Sequence, residues 1–419
     1  MAKEVLLEEL NPQQKEAILY SKGPLLVLAG AGSGKTRVIT HKFAYLVKKK
    51  KYHPSSIFTV TFTNKAANEM KERICRFISH EMKQSWIGTF HSQCNKILRK
   101  EIKALGYRPD FSIYDEADQY NLIRHILKEL KIYEALYKGV ASRISILKSS
   151  LVSPEKFLSQ GDGFSFDEKL GRVYLKYQDE LMRCNALDFD DLIMLTVRLF
   201  EENPKILAKY HDMFPYILVD EFQDTNHAQY RLLQLLASSS KDICVVGDDD
   251  QSIYKFRGAD VGNILSFEKD FPGTKIIKLE QNYRSTQNIL NVSGAVISNN
   301  SDRKSKRLWT EKGCGEKVFY YRLNSEEDEA KYIARTIKDL YLKGSFEYSH
   351  FAILYRINLQ ARAVEDALRE ENIPYHVVNG ISFYHRREIK DIISYLKLAL
   401  NPDDKVSLRR IINSPPRGI

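Results

Sequence analysis

Short apolar runs alternate along this chain with longer stretches in which apolar residues recur at helical spacing. Five of the runs are rich in Val, Ile, Leu and Phe and end in a polar or Gly-rich turn, so we predict that each is a buried strand. They are PLLVLAG at 24–30, SIFTVTFT at 56–63, PYILVDE at 215–221, DICVVGD at 242–248 and KIIKLEQN at 275–282. Strands that alternate with helices predict an α/β fold with a parallel sheet, whose ligands bind at the carboxyl ends of the strands.

The middle of the chain has a different pattern. From about 92 to 210 the spacing is helical, strand-like runs are rare, and Lys, Leu and Tyr are frequent. We therefore predict a helical domain inserted into the first sheet. A second α/β unit is predicted from about 278, with strands KVFYYRL at 317–323, HFAILYR at 350–356 and IPYHVVN at 373–379.

Length and charge narrow the choice of partner only slightly. A chain of 419 residues with 43% hydrophobic residues argues for roughly two to four domains with packed cores. The net charge of +10 and the pI of about 9.0 are compatible with a polyanionic partner but do not require one. The basic runs KKKK at 48–51 and RKSKR at 303–307 are more typical of solvated loops than of binding sites.

The cysteines and the N-terminus point to a reduced, cytoplasmic protein. The cysteines are odd in number, scattered and without CxxC spacing, which argues against a disulfide framework or a zinc site. They are Cys75, Cys94, Cys184, Cys244 and Cys314. The first residues, MAKEVLLEEL, lack the pattern of a signal peptide. No apolar run approaches the ~20 residues of a membrane span, so no membrane partner is expected.

Residues 28–37, LAGAGSGKTR, have the pattern of a phosphate-binding loop. Glycines at alternate positions let the backbone curl so that its N–H groups face an anion. Lys35 can then reach the β- and γ-phosphates of a nucleotide, and the Thr36 hydroxyl can bind Mg²⁺. The pattern GxxxxGK[ST] is met except at its first position, where Ala29 replaces Gly. The strand before the loop and the helix after it, which adds its positive end, make the interpretation specific.

The run YILVDEFQD supplies the second half of such a site. Its apolar residues lead to Asp220 and Glu221 at a strand end. Asp220 can hold Mg²⁺ through water, and Glu221 can take a proton from an attacking water. With the phosphate loop, these two acids predict a nucleoside triphosphate hydrolase.

The segment VGDDDQSIYKFRGAD, residues 246–260, carries two kinds of chemistry within one loop. Its three consecutive acids, at 248–250, suit a metal or phosphate site. The residues Tyr254, Phe256 and Arg257 suit a stacked base and a backbone phosphate. We predict that this loop faces two ligands.

Taken together, these motifs resemble the superfamily 1A DNA helicases of the UvrD/PcrA/Rep group. The resemblance extends from LNPQQKEAI at residue 10 to the end of the chain, and seven segments within it occur in family order and with family-like spacing. They are AGAGSGKTR, TFTNKAANEM, GTFHS, LDFDDLI, VDEFQDTN, GDDDQSIYKFRGAD and LEQNYRST. The resemblance implies two RecA-like parallel-sheet motor domains, the second incomplete here, with an inserted all-helical domain. The expected limits are 1–91 with 211–277 (first motor), 92–210 (insertion), 278–378 (second motor) and 379–419 (start of a further helical domain).

The resemblance also assigns the ATP site. Gln14 should read the adenine, Tyr283 should stack on it, and Arg37 should lie beside the nucleotide. Gln251 and Arg284 should contact the γ-phosphate, so they join Lys35 and Glu221 as catalytic residues. The full expected ATP contact set is Gln14, Ala29, Gly30, Ala31, Gly32, Ser33, Gly34, Lys35, Thr36, Arg37, Tyr283 and Arg284. Thr36 and Asp220 are the expected Mg²⁺ ligands, and ATP and Mg²⁺ the expected cofactors.

For DNA, the resemblance implies aromatic side chains facing the bases and polar ones along the strand. The expected residues are Phe62, Asn64, His91, Phe189, Tyr254, Phe256, Arg257 and Arg356. Taken one at a time, Phe62, His91 and Phe189 fit an ordinary core position better than a binding site; taken together and in family order, they favour DNA binding. Phe256 departs from the family, which usually has Trp there; Phe offers less stacking area, so strand binding should weaken modestly.

The function implied is an ATP-dependent 3′–5′ DNA helicase and translocase in DNA repair and replication, acting on single-stranded DNA and duplex junctions, with repair or replication proteins as further partners. The alternative is the ATPase motor subunit of a helicase–nuclease complex; an RNA helicase and a non-enzymatic nucleic-acid binder are more distant rivals. The family's later motifs, HxxKGLEF and GITRA, do not occur in the 419 residues. We therefore expect a chain truncated on its C-terminal side that is defective in unwinding.

Overall fold

The computed structural model describes residues 7–78, 85–159, 165–301, 303–344, 346–378 and 387–418. These residues form two compact units, one of Met1–Glu316 with Asp391–Ile419 and the other of Lys317–Lys390. The predicted fold class, α/β with a parallel sheet, is confirmed.

The first unit contains all the strands that the structure describes. They are β1 (Leu25–Ala29), β2 (Ile57–Thr61), β3 (Trp86–Thr89), β4 (Ser112–Ile113), β5 (Ala186–Leu187), β6 (Tyr216–Val219), β7 (Ile243–Gly247) and β8 (Lys275–Leu279). Six of them form a parallel sheet in the order β3-β2-β6-β7-β1-β8, and β4 and β5 form a separate parallel pair. The five apolar runs predicted as strands are thus confirmed as β1, β2, β6, β7 and β8.

The helices alternate with these strands and continue beyond them. Those before β6 are α1 (Pro12–Leu19), α2 (Lys35–Lys48), α3 (Asn64–Cys75), α4 (Phe90–Glu101), α5 (Glu116–Glu129), α6 (Tyr137–Ser149), α7 (Pro154–Ser159), α8 (Ser165–Arg183), α9 (Phe189–Glu202) and α10 (Pro204–Met213). After β6 come α11 (His227–Ala237), α12 (Gly262–Asp270), α13 (Gln287–Ile297), α14 (Glu326–Leu342), α15 (Ala361–Glu370), α16 (Arg387–Leu400) and α17 (Lys405–Ile411). Among the described residues from α4 to α10, the helices are interrupted by only two strands, the short β4 and β5.

Both faces of the six-stranded sheet are buried, as the alternation along β1 illustrates. Leu26 and Leu28 belong to one apolar core, whereas Leu25, Val27 and Ala29 belong to another. Because side chains alternate across a strand, the two cores lie on opposite faces of the sheet. A continuous apolar run is therefore the expected sequence of such a strand.

The insertion between β3 and β6 has a core of its own, made by α5, α6 and α8. The chain segment after residue 390 packs on it. Asn401 Nδ2 donates to Ser112 Oγ at 3.1 Å, and the Tyr114 hydroxyl donates to Asp404 at 2.9 Å. Arg108 pairs with Asp403 at 2.8 Å. These contacts join residues almost 300 positions apart.

The second unit has a small core between α14 and α15. Here the three predicted strands, at 317–323, 350–356 and 373–379, are wrong: no residue described in them is assigned to a strand. A strand needs a hydrogen-bonded neighbour, and the apolar side chains of these segments are largely exposed, with Leu354 94% accessible.

Candidate functional site

The loop between β1 and α2 forms a cradle of backbone groups. Gly34 has φ +90° and is the last residue before α2. A Cβ at this position would lie 2.8 Å from Nε2 of Gln14, so both the backbone angle and the space call for glycine. Ser33 is buried, and its hydroxyl donates to Gly30 O at 2.7 Å. The loop therefore presents its backbone, at the positive end of α2, to an anion.

Lys35 is the point at which the site converges. Its Nζ lies 2.9 Å from Glu221 Oε2 and donates to Gln251 Oε1 at 3.2 Å. These residues come from α2, from the end of β6 and from the turn after β7. The structure thus brings together three of the four residues predicted to be catalytic. The fourth, Arg284, is exposed but borders the phosphate loop, since a Cβ added to Gly32 would lie only 2.8 Å from the Cβ of Arg284.

Thr36 and Asp220 form the predicted metal-binding pair. The Thr36 hydroxyl donates to Asp220 Oδ2 at 3.2 Å. Burial, followed by the charge of Glu221, raises the pKa of Asp220 to about 6. A hydroxyl and a carboxylate beside a phosphate cradle are the hard oxygen ligands that Mg²⁺ prefers, so the residues fit that ion.

Glu221 is held in an unusual backbone conformation. Its φ of 51° and ψ of 47° are left-handed, a region that non-glycine residues seldom adopt. Gln223 Nε2 donates to Glu221 Oε2 at 2.8 Å, while Gln223 Oε1 accepts from the backbone N–H of Asp248 at 2.9 Å. Sequence reasoning missed Gln223, which links the predicted base to the loop that follows β7. The left-handed backbone of Glu221 is strained, and strain of this kind concentrates at functional sites.

Gln14 is fully buried and ties α1 to the phosphate loop. Its Nε2 donates to Ser33 O at 2.9 Å, and its Oε1 accepts from the backbone of Asn11 at 3.2 Å. The capping box with Asn11 and the Pro12 that starts α1 explain why the helix begins here. Reading of an adenine by Gln14 stays a prediction.

The segment after β8 lies against the other side of the same loop. Asn282 Nδ2 donates to Ala31 O at 2.5 Å, and the backbone N–H of Tyr283 donates to Gly32 O at 3.0 Å. The Tyr283 hydroxyl accepts from Asn11 Nδ2 at 2.9 Å. The predicted stacking residue thus borders the loop, and Asn282, which sequence reasoning did not single out, anchors it there.

Arg37 has a carboxylate partner in this structure. Its Nη2 lies 2.8 Å from Glu9 Oε2, at the surface beside α1. It lies two residues after Lys35 at the start of α2, and its contact with a nucleotide stays a prediction.

A cavity of about 460 Å³ lies between the sheet and the helical insertion. The predicted DNA residues Phe62, His91, Tyr254 and Phe256 line it. Phe62 and Tyr254 are stacked with ring centroids 4.8 Å apart, and Tyr254 and Phe256 are 6.0 Å apart. Phe256 remains 67% accessible. Exposed rings beside a cavity are suited to stacking on nucleobases.

The insertion supplies the opposite wall of the cavity. Its lining residues include Glu116, Gln119, Tyr120, Ser145 and Asp190. Burial, followed by the charge of Asp188, raises the pKa of Asp190 to about 7. None of these residues was predicted, because each is an ordinary polar residue of a helix until the fold brings it to the cavity.

His91 lines the cavity, and Phe189, which does not line it, is in contact with His91. Their ring centroids lie 5.7 Å apart, and Phe189 is exposed at the start of α9. Burial lowers the pKa of His91 to about 4, so its imidazole is neutral at neutral pH. A neutral ring can accept a hydrogen bond or stack but adds no charge for a phosphate.

The remaining predicted DNA residues are placed less closely. Asn64 is exposed at the first position of α3, two residues after Phe62. The side chain of Arg257 lies outside the described part of the chain. Arg356 is exposed in the second unit, where its backbone N–H donates to Gln360 Oε1 at 3.0 Å.

The acids at 248–250 form ion pairs with residues of the basic run at 303–307. Lys306 contacts all three acids, and Arg303 makes two hydrogen bonds to Asp250, at 2.8 and 2.7 Å. The interpretation of RKSKR as a solvated loop is therefore wrong at Lys306, whose side chain is only 2% accessible. Oppositely charged runs 55 residues apart were the one available signal.

Comparison with known proteins agrees with this geometry. Residues 10–272 match the UvrD/REP helicase N-terminal domain, and residues 277–419 match the UvrD-like helicase C-terminal domain. The chain belongs to the UvrD-like helicase family.

Individual relatives of this UvrD-like chain give the same result. Proteins named ATP-dependent DNA helicase PcrA from Bacillus subtilis and Staphylococcus epidermidis are each 49% identical over 416 residues, and one from Staphylococcus aureus is 48% identical over the same length. Each alignment covers 99% of this chain but only 56% or 57% of the relative. The chain therefore spans little more than half the length of these relatives. Within the described ranges, none of its helices combines the length and apolar character that a membrane crossing needs.

Proposed function

We propose that this UvrD-like chain is the ATP- and DNA-binding part of an ATP-dependent DNA helicase and translocase. One observation carries the proposal. Gln251 contacts Lys35 of the phosphate loop at 3.2 Å, and three residues later Tyr254 lines the aromatic cavity. A single short loop therefore borders both a phosphate site and a site suited to a DNA strand.

Hydrolysis of ATP is assigned to the residues around Lys35. The backbone of the phosphate loop and Lys35 bind the β- and γ-phosphates. Thr36 and Asp220 would hold Mg²⁺, which supplies positive charge to the phosphate oxygens. Glu221, oriented by Gln223, accepts the proton of the attacking water.

Strand binding is assigned to the cavity lined by Phe62, Tyr254 and Phe256. Stacking on aromatic rings does not depend on base identity, so it suits a motor that moves along any sequence. A displacement of Gln251 when the γ-phosphate leaves is passed along the loop to Tyr254 and Phe256. Repeated changes of grip would produce stepping along one strand.

Several finer features rest on the family resemblance and remain proposals. These are the 3′–5′ direction, Arg284 and Tyr283 as nucleotide contacts, Arg257 and Arg356 as DNA contacts, and roles in repair and replication with partner proteins from those processes. The domain limits near 91, 210, 278 and 378 are also proposals. A cytoplasmic location is supported by five free thiols. A motor subunit of a nuclease complex is not favoured, since the relatives above are named DNA helicases.

The test is Lys35→Ala in the protein as its gene encodes it, with Lys48→Ala as the matched control. Lys48 lies at the exposed end of the same helix, α2. We expect Lys35→Ala to abolish ATP hydrolysis stimulated by single-stranded DNA and to leave strand binding largely intact. The Lys48→Ala protein should behave as wild type. Unchanged turnover in Lys35→Ala would refute the assignment of the phosphate site.

A further inference from the structure

The three consecutive acids at 248–250, in the loop that follows β7, form ion pairs with residues from a distant part of the chain. Lys306 Nζ lies 2.7 Å from Asp248 Oδ1 and 3.1 Å from Asp250 Oδ2, and it also contacts Asp249. Burial acts to lower the pKa of Lys306, but the charges of Asp248 and Asp249 outweigh it and raise the pKa. Lys306 therefore stays charged within this buried cluster.

The same cluster holds the amide of Gln251. Gln251 Nε2 donates to Asp248 Oδ2, and Gln251 Oε1 accepts from Lys35 Nζ at 3.2 Å. A carboxylate can only accept and an ammonium can only donate, so this arrangement fixes which end of the amide faces which neighbour. Asp248 is thus the group that orients Gln251 toward the phosphate loop.

Asp248 is also linked to Glu221, the residue predicted to be the general base. Its backbone N–H donates to Gln223 Oε1 at 2.9 Å, and Gln223 Nε2 donates to Glu221 at 2.8 Å. Asp248 therefore contacts Gln251 through the carboxylate that Lys306 binds, and it is linked to Glu221 through its backbone N–H and Gln223.

We propose that Lys306 is a positioning residue for ATP hydrolysis: by binding Asp248, it holds the carboxylate that orients Gln251 beside Lys35. The inference rests on the proposed function, since it assigns Lys306 a part in the same ATP site. Lys306 forms ion pairs with the three acids and does not line the aromatic cavity, and it acts on the ATP site through Asp248. A purely structural role would consist only of neutralising buried acids.

A double-mutant cycle separates these two roles. Lys306→Ala, Gln251→Ala and the double variant are compared in ATP hydrolysis stimulated by single-stranded DNA, with kcat and KM measured separately. A misplacement of about 1 Å can cost about 10² in rate, so we expect Lys306→Ala to lower kcat by about 10- to 100-fold with little change in KM. The double variant should be no slower than Gln251→Ala alone, because both substitutions disable the same contact.

The matched control is Lys304→Ala. Lys304 lies in the same loop, but its ammonium pairs with Glu268 rather than with the acids. Its removal takes away one positive charge and should leave kcat unchanged. Losses that multiply in the Lys306/Gln251 double variant, or a normal kcat in Lys306→Ala, would overturn the inference.

Lys306→Ala leaves three acids with one cation fewer, so its folding must be checked by thermal melting. A charge-balanced variant, Asp249→Asn with Lys306→Met, removes one acid together with the cation while leaving Asp248 without its ammonium. We expect the same fall in kcat from this folded variant, and a normal kcat would overturn the inference. A wild-type protein that hydrolyses no ATP would overturn the proposed function and this inference together, whereas normal wild-type hydrolysis with an independent Lys306 overturns this inference alone.

Discussion

Removal of the Phe256 ring is the simplest test of the proposal that the aromatic cavity binds single-stranded DNA. The ring lines the cavity but is 67% accessible, so Phe256→Ala should change folding stability by no more than about 0.5 kcal/mol. Each base stacked on an aromatic ring contributes about 1–3 kcal/mol. With about 1.4 kcal/mol for each factor of ten, loss of one stack should weaken single-strand binding about 5- to 150-fold.

The control is Ile253→Ala. Ile253 is on the same loop and is 69% accessible, but it does not line the cavity. Affinity for a fluorescent oligonucleotide would be measured by anisotropy at one fixed salt concentration, because phosphate contacts make binding salt-dependent. The control should bind as wild type. An effect below about twofold in Phe256→Ala, or an equal loss in both variants, would refute the assignment of the cavity to the strand.

Three further predictions follow from individual contacts. In Gly34→Ala the alanine would have to adopt the left-handed backbone of Gly34, and its Cβ would lie 2.8 Å from Gln14 Nε2. ATP affinity measured by calorimetry should therefore fall about tenfold or more. An unchanged Kd would contradict the phosphate-binding role of this loop. Burial lowers the pKa of His91 to about 4, against about 6.5 in an unfolded chain. As the pH falls, His91 takes up a proton in the unfolded chain but not in the folded one, so protonation favours unfolding. The free energy of unfolding of wild type should therefore fall by about 2 kcal/mol more than that of His91→Gln between pH 7.5 and pH 5. An equal pH dependence of the two proteins in urea titrations would contradict this. Lys148→Met removes the cation that lies 2.8 Å from the buried carboxylate of Asp188 and 2.7 Å from that of Asp191. The free energy of unfolding should fall by about 3–5 kcal/mol, because both carboxylates lose their ion-pair partner. A fall below about 1 kcal/mol would exclude a buried ion pair.

Five of the six strands of the main sheet could be predicted because each lies in a short run rich in Val, Ile, Leu and Phe. β3 was missed because only its first two residues are large and apolar, with Gly88 and Thr89 after them, and β4 and β5 were missed because each has only two residues. The opposite error occurred at 317–323, 350–356 and 373–379. Alternation there is typical of strands, but sequence does not reveal whether a hydrogen-bonding neighbour is available.

The candidate site was predictable where its residues are consecutive and only partly elsewhere. The phosphate loop and the Asp220–Glu221 pair have local patterns, and the structure brings them together. The acids at 248–250 suggested a metal or phosphate, whereas their partners are Lys306 and Arg303. Such a pairing depends on the approach of two loops, which local composition does not encode. Gln223 and Asn282 were missed for the same reason.

In the proposed function the loop from Gln251 to Phe256 couples the nucleotide to the DNA strand, and Gln251→Ala is the decisive test of this coupling. Strand affinity would be measured with no nucleotide, with a non-hydrolysable ATP analogue and with ADP. We predict that Gln251→Ala keeps the nucleotide-free affinity but loses the difference between the ATP-analogue and ADP states that wild type shows, and by linkage loses the matching effect of the strand on nucleotide affinity. A Gln251→Ala protein that retains the full nucleotide dependence of strand affinity would contradict the account, because the loop would then hold two adjacent but independent sites.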